Sequence, residues 1–277
     1  RAKSLLIFST TWFGLISAFY LIAAKIYLRE FHKIEQSNIR QNLESVLKAL
    51  IEDQQALDRL AQDYANRDDV YDFILDGQFS SIENAFSADT YASHQLSLIA
   101  FINASGKLVY GNEYDLISEK QNEFSENLNQ DIQTVSSFFN PVNSQPKVLQ
   151  LLGKPMLVSV QPILSKPKKD SPLGWLILGR ILEMEIDQIS RQMGLPVIWA
   201  SWETEKIDLP SDMRLARNDL QNIVAEPEES PITTKPLGEQ SIAGYTFLRD
   251  LHGEPANLIR VDYPRTIYQQ GKASLQD

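Results

Sequence analysis

The first feature of the chain is an uncharged apolar run at residues 4–24, twenty-one residues long. At helical rise it spans about 31 Å, close to the thickness of a bilayer hydrocarbon core. Arg1 and Lys3 precede it and Lys25 and Arg29 follow, with Tyr20 and Tyr27 suited to the headgroup zone. A signal peptide has a shorter apolar stretch and a small-residue cleavage site, so the run predicts a retained transmembrane helix. Residues 28–75 then hold neither Gly nor Pro. Apolar positions recur at three and four: Ile39, Leu43, Val46, Leu50, Leu57, Leu60 and Tyr64, the spacing of a heptad stripe in which Asp53 occupies the skipped position. This predicts a stalk helix continuing from the membrane, ended at Gly77, paired with a second copy near the bilayer and packed on its own domain further out.

Beyond residue 95 the pattern changes to strands. Apolar runs at 96–103 and 108–111, separated by a turn at Gly106, read as a hairpin. Residues 156–161, ended by Pro162, and 175–180 read as two more strands, joined through a polar turn at 167–172. Residues 183–193 form a short helix closed by Gly194 and Pro196, and 196–200 a short strand. After a Pro-, Glu- and Ser-rich stretch at 201–240 comes a second hairpin, 244–250 and 257–263. The predicted fold class is α+β: a transmembrane helix, a long stalk helix, then an antiparallel sheet of five to seven strands with flanking helices. The expected divisions are 1–27 for the membrane helix and its flank, 28–77 for the stalk, 78–270 for the domain proper, and 271–277 as a linker toward a second membrane helix.

Six segments in order carry a family resemblance: LAQDYANRDDVYDF at 60–73, LIAFINASGKLVYG at 98–111, GKPMLVSVQPI at 153–163, GWLILGRIL at 174–182, FLRDLHGEP at 247–255 and PRTIYQQG at 264–271. With these, residues 40–270 resemble the fourth class of CHASE domains, extracellular sensory domains of bacterial and archaeal receptors that sit between two transmembrane helices. The resemblance implies a PAS- or Cache-like sensor in the inner (plasma) membrane, with its domain periplasmic or extracellular. It also implies a cytoplasmic output beyond residue 277, a histidine kinase or a cyclic-di-GMP cyclase or phosphodiesterase. One departure is that the family usually has Trp where this chain has Asn66 or Arg67.

Composition narrows the chemistry. Lys and Arg total 26 against 36 Asp and Glu, a net charge of −10, which disfavours nucleic acid as a partner. There is no Cys and there are three His, at 32, 94 and 252, so thiolate sites, Cys nucleophiles and disulfides are excluded. No nucleophile elbow, HExxH or phosphate-binding glycine loop is present, and neither His94 beside Ser93 nor His252 supports an acid–base pair. No enzymatic activity is expected within these residues, and no cofactor is required.

Three groups remain as candidates. Arg180, beside Gly179 on an otherwise apolar strand, is the expected contact for an anionic small-molecule ligand, since a fixed cation orients a carboxylate well. Tyr110, Trp175 and Tyr245 are strand aromatics that line either a pocket or the core. Asp63, Asp68, Asp69 and Asp72, with Tyr71, form an acidic face on one helix, read as structural pairing or as oxygen ligands for a cation. Arg249, Asp250 and Arg265 are read as structural or signalling residues, and Arg249, Arg260 and Arg265 share with Arg180 the two readings of ligand contact or salt bridges that neutralise the acidic surface. The expected partners are the lipid bilayer, a small-molecule ligand and a second copy of the chain. The alternatives from other classes are a membrane-tethered assembly protein without an output, and a membrane-bound hydrolase.

Overall fold

The computed structural model describes residues 2–78, 80, 82–122, 126–135, 148–164, 172–204, 208–223, 230–250 and 252–274, with side chains of 2–11, 21, 23–28, 126–127 and 133–135 outside the described set. A single helix, α1 (Ala2–Ala65), runs 64 residues, about 96 Å at helical rise. The apolar stripe decides what it packs against. Ile39, Leu43, Val46 and Leu50 are fully buried in one core, Leu57, Ala61 and Ala65 in another. The helix is therefore a spine along which two α/β lobes are mounted. The heptad stripe is consumed within one chain, so it is not the dimer seam expected from its spacing. Among the described residues no helix is long and apolar enough to cross a membrane. The uncharged run 4–24 falls largely on residues whose side chains lie outside the described set.

The helix does not continue to Gly77. It stops at Ala65, Arg67 is extended (φ −73°, ψ 146°), and α2 (Asp68–Asp76) restarts before closing on left-handed Gly77. The break redirects the chain so that Val70 and Phe73 enter the same core as Leu57 and Ala61, and Arg67 closes a two-bond fork on Asp69 across the corner. No Pro or Gly marks this corner because tertiary burial, not local propensity, makes it.

The first lobe follows. α3 (Ala88–His94) leads into β1 (Leu98–Asn103) and β2 (Leu108–Asp115), then β3 (Lys120–Asn122), α4 (Glu126–Val135), β4 (Val148–Leu151), β5 (Lys154–Leu164) and β6 (Pro172–Ile181). The strands form one antiparallel sheet in the order β3-β2-β1-β6-β5-β4. Central β1 is buried on both faces, which is why it reads as an unbroken apolar run. Ile99 and Phe101 face α1, α2 and α3, while Leu98, Ala100 and Ile102 lie under α4. Gly174 of β6 lies so close to the Ile102 carbonyl that any β-carbon would collide with it. β5 runs straight through Pro162 rather than ending there; β4 pairs only with residues 154–157, so among the described residues no strand lies on that side to miss the Pro N–H. The polar turn expected at 167–172 lies outside the described residues except for Pro172.

α5 (Leu182–Met193) leaves β6 directly and carries the chain into the second lobe. There β7 (Val197–Ser201), α6 (Ser211–Asn222), β8 (Thr233–Pro236), β9 (Ser241–Arg249) and β10 (Pro255–Pro264) precede a last helix, α7 (Thr266–Ala273). The strands form a separate sheet, β7-β10-β9-β8. The expectation of a single sheet is thus corrected to two, of six and four strands. The second hairpin pairs with β7 and β8, and among the described residues its backbone joins the first sheet through one isolated bridge, between Val148 and Asp250.

Candidate functional site

Where the two lobes meet, the stripe of α1 carries Asp53 instead of an apolar residue, and two elements close over it. Arg180 is the penultimate residue of β6, paired with Leu157 on the face toward α1. Glu185 lies in the first turn and a half of α5. The Arg180 Nη1 is 3.7 Å from Glu185 Oε2, with the two side chains 14% and 3% exposed. The Asp53 carboxyl of α1 lies near enough to act on the Glu185 carboxyl, and the two can approach closely only with a proton on one of them. Burial, aided by Asp53 and opposed by Arg180, pushes the Glu185 carboxyl up to about 7. The Asp53 carboxyl is raised too, again by burial against Arg180. The Arg180 Nε is buried with no hydrogen-bond partner among the described residues. Arg180 is thus half of an internal ion pair, not a lone cation on an apolar strand.

A groove of about 410 Å³ reaches this cluster at Glu185. Its walls are the end of α3 (Gln95), the β2–β3 turn (Leu116, Ile117) and the face of α5 bearing Glu185, Gln188 and Arg191. Gln95 holds a left-handed backbone (φ 54°) as the cap of α3, which only a built corner sustains in a non-glycine residue. Ile117 stands 86% exposed at the rim. The groove offers apolar rim contacts, two amides, a surface Arg and a carboxyl that changes charge near neutrality.

The other sequence candidates do not converge on it. Tyr110 sits over Phe73 and Phe101, and its hydroxyl accepts from Asn112 Nδ2 at 3.1 Å. Trp175 lies on the opposite face of the same sheet, packed on the cluster beneath α4. Tyr245 belongs to the second sheet, where its buried hydroxyl donates to Asp212 Oδ2 at 2.7 Å and is held above its usual range by burial and that bond. Of the acidic residues, Asp63, Asp68 and Asp72 are solvent-exposed, and Tyr71 is half-buried. Asp69 is held below its usual range by the Arg67 fork. Among the described residues no group of carboxylates and His is arranged to hold a metal ion. Arg260 pairs with Asp262 and Asp212. Arg249 lies over the Phe247 ring and donates to the Gly253 carbonyl, and Asp250 receives the N–H groups of His252 and Glu254.

Arg265 has the most built surroundings, and its partner was not among the sequence candidates. Its Nε donates to Glu35 Oε2 at 2.8 Å, with side chains 7% and 1% exposed. The other Glu35 oxygen takes the Tyr268 N–H at 3.0 Å. The Arg265 Nη1 donates to the Gly238 carbonyl, Nη2 lies 3.4 Å from His32 Nδ1, and the guanidinium stacks 3.9 Å over the Tyr268 ring. One helical turn away, the Phe31 ring fills the space where a side chain on Gly271 would begin. Together these contacts fasten α7, the last described element, to α1. Spacing carried a signal for Glu35: it precedes Ile39 by four and so continues the apolar stripe, as Asp53 does between Leu50 and Leu57.

The model of the CHASE4 domain family matches residues 49–198, from the middle of α1 through the first lobe to β7, narrower than the 40–270 expected from the residues. No curated protein sequence matches the chain. Among solved structures, the extracellular domain of the histidine kinase vpHK1S-Z8 is similar with a TM-score of 0.57 at 13% identity, covering 90% of this chain and 99% of that one. A domain of a sensory box/GGDEF family protein from Vibrio parahaemolyticus has a TM-score of 0.58 at 12% identity, covering 86% and 99%. At such identities the likeness is one of fold.

Proposed function

Because the chain belongs to the CHASE4 domain family, we propose that it is the extracytoplasmic ligand-sensing input module of a membrane-bound receptor, with the groove between the first lobe and α5 as its ligand site. The observation that carries this reading is the fastening of α7 to α1 by Glu35 and Arg265. The chain enters and leaves the domain at one place, so any change in the lobes reaches the exit as a displacement against the entry helix. The anchor is residues 4–24, within the proposed membrane segment 1–27. In support, Trp12, Phe13, Leu15, Ile16, Phe19 and Ile22 are each 58–76% exposed on a bare helix, far too much apolar surface to leave in water. Residues 28–77 form the entry helix and its corner, 78–270 the sensor, and 271–277 the exit toward a second membrane helix. The output is a cytoplasmic histidine kinase or cyclic-di-GMP enzyme, of the kinds to which the two similar structures belong. The intact receptor is a homodimer paired through α1 on the membrane side of Phe31, since the stripe from Ile39 onward is occupied.

The absence of Cys makes the test direct. Ile117→Cys, at the exposed rim, should react with a membrane-impermeant maleimide in intact spheroplasts, and the chain should sediment with membranes until detergent is added. Labelling only after lysis would refute the extracytoplasmic placement. A chain that stays in the supernatant without detergent would refute the anchor.

A further inference from the structure

We propose that the Asp53–Glu185–Arg180 cluster is a proton-operated latch between the entry helix and the inter-lobe helix, making this sensor responsive to external pH whatever its groove binds.

The geometry is specific. Glu185, only 3% exposed, lies 3.7 Å from the Arg180 guanidinium, and the half-buried Asp53 carboxyl of α1 interacts with both. With one shared proton, the three groups carry one negative and one positive charge and are neutral as a set. Without it, two negative charges share one guanidinium, which stands 3.7 Å from a Glu185 side chain only 3% exposed. The charged groups around them are few. Glu52 adds a negative charge from α1. Arg180 is the cation on β6, and Asp187 and Arg191 face the groove from α5. The walls contributed by α3 and the β2–β3 turn hold only Ala92, Gln95, Leu116 and Ile117, with no charge to compensate. Loss of the proton is therefore answered by separation: α5 moves off α1, or water enters from the groove. The raised Glu185 carboxyl puts that event near neutrality.

The connection onward is covalent and short. α5 runs into β7, which pairs with β10, and β10 runs into α7. The latch thus lies at the start of the path that ends at Arg265. The 3.7 Å separation and the partnerless Arg180 Nε fit a latch that is not fully closed in either charge state.

The test uses the full chain in detergent or nanodiscs. Amide exchange of α5, corrected for intrinsic pH dependence, should increase about tenfold between pH 5.5 and 8.5 with a midpoint near 7. Glu185→Gln, which cannot ionise, should hold α5 in its low-pH protection throughout. Glu183→Gln, on the exposed face of the same helix, should leave the transition intact. A transition that survives in both Glu185→Gln and Asp53→Asn, or none in the unaltered chain, overturns the latch. Should Glu185→Gln fail to fold, the carbon-13 carboxyl shift of Glu185 in the unaltered chain decides: a midpoint below 5 refutes the proposal, one near 7 supports it.

Discussion

Replacing Glu35 by Ala removes the acceptor of two bonds at once, that from Arg265 Nε and that from the Tyr268 N–H. The guanidinium it leaves behind is only 7% exposed. Its remaining contacts, the Gly238 carbonyl and the Tyr268 ring, carry no negative charge. Breaking a buried pair from one side costs about 3–5 kcal/mol, mostly the penalty of the orphaned charge. If the loss is shared by the whole domain, the melting temperature should fall by roughly 10 °C, at 2–4 °C per kcal/mol for a chain of this size. If α7 instead detaches alone, the melt changes little and exchange of residues 266–273 approaches the unprotected rate. The double variant Glu35→Ala/Arg265→Met separates the causes. It removes the charge as well as its partner, and should recover most of the loss, because a buried pair replaced by apolar groups is often neutral. Exchange mass spectrometry and calorimetry on the single and double variants would read both quantities. A Glu35→Ala chain with α7 fully protected and melting within a degree of the parent would refute the idea that this pair holds entry to exit.

Stability should also depend on pH through Glu185. Its folded value, about 7, lies above the usual 4.5, so the fold gains most below pH 4.5 and loses that gain as pH rises through 7. The span is worth about 3 kcal/mol, and Glu185→Gln should flatten denaturant midpoints measured across it. Leu43→Asp with Leu50→Asp should unfold the domain rather than merely separate two copies, since both positions are fully buried against the second lobe; a folded monomeric domain by circular dichroism would contradict this. Gly174→Ala should cost about 3 kcal/mol or more, because the obstacle is the Ile102 backbone carbonyl and cannot rotate away; a chemical-denaturation midpoint equal to the parent's would show that β1 and β6 can part there.

Elements with strong local patterns were legible in the sequence. β1, β2, β5, β6, β9 and β10 and helix α5 appear where alternation, apolar runs and Gly turns put them, because each signal is contained within a few residues. What escaped was set at longer range. β3 is three polar residues, all exposed, and is a strand only because β2 stands beside it. The stretch 201–240 hides α6, whose Met213, Ala216 and Leu220 are buried only once the second sheet exists to receive them. The number of sheets is the clearest case. A hairpin pattern specifies its own two strands and nothing about its neighbours, so two hairpins read equally well as one sheet or two. The choice lies with α5, whose Leu182, Ile186 and Ile189 dock on the stripe of α1 and start a second lobe.

The candidate site follows the same division. A heptad stripe interrupted by Asp53 reads as a coiled coil with one polar register-setting residue, and the spacing of Glu35 extends the stripe without comment. Inside a single chain the same two positions mean something else. A carboxylate on a face packed against the core finds a cation or holds a proton. Arg180 and Arg265 are the cations: Arg180 pairs with Glu185 five positions on and acts on Asp53 from 127 positions away, and Arg265 pairs with Glu35 from 230 positions away, so no local pattern joins either arginine to the stripe. The sequence did single out both arginines, Arg180 as a cation on an apolar strand assigned outward to a ligand and Arg265 as a structural or signalling residue. With the stripe, two acidic interruptions and these two arginines are a matched set. The pairing turns the apparent stalk into a helix latched at two points, one at the lobe junction and one at the exit. It also orders the device: the pair at the exit has both carboxylate oxygens engaged in short bonds, whereas at the junction the Arg180–Glu185 pair is long and burial pushes the Glu185 carboxyl up to about 7. The weaker contact is the one a groove reaches, so a stimulus acts there first, and the tighter contact carries the result to α7.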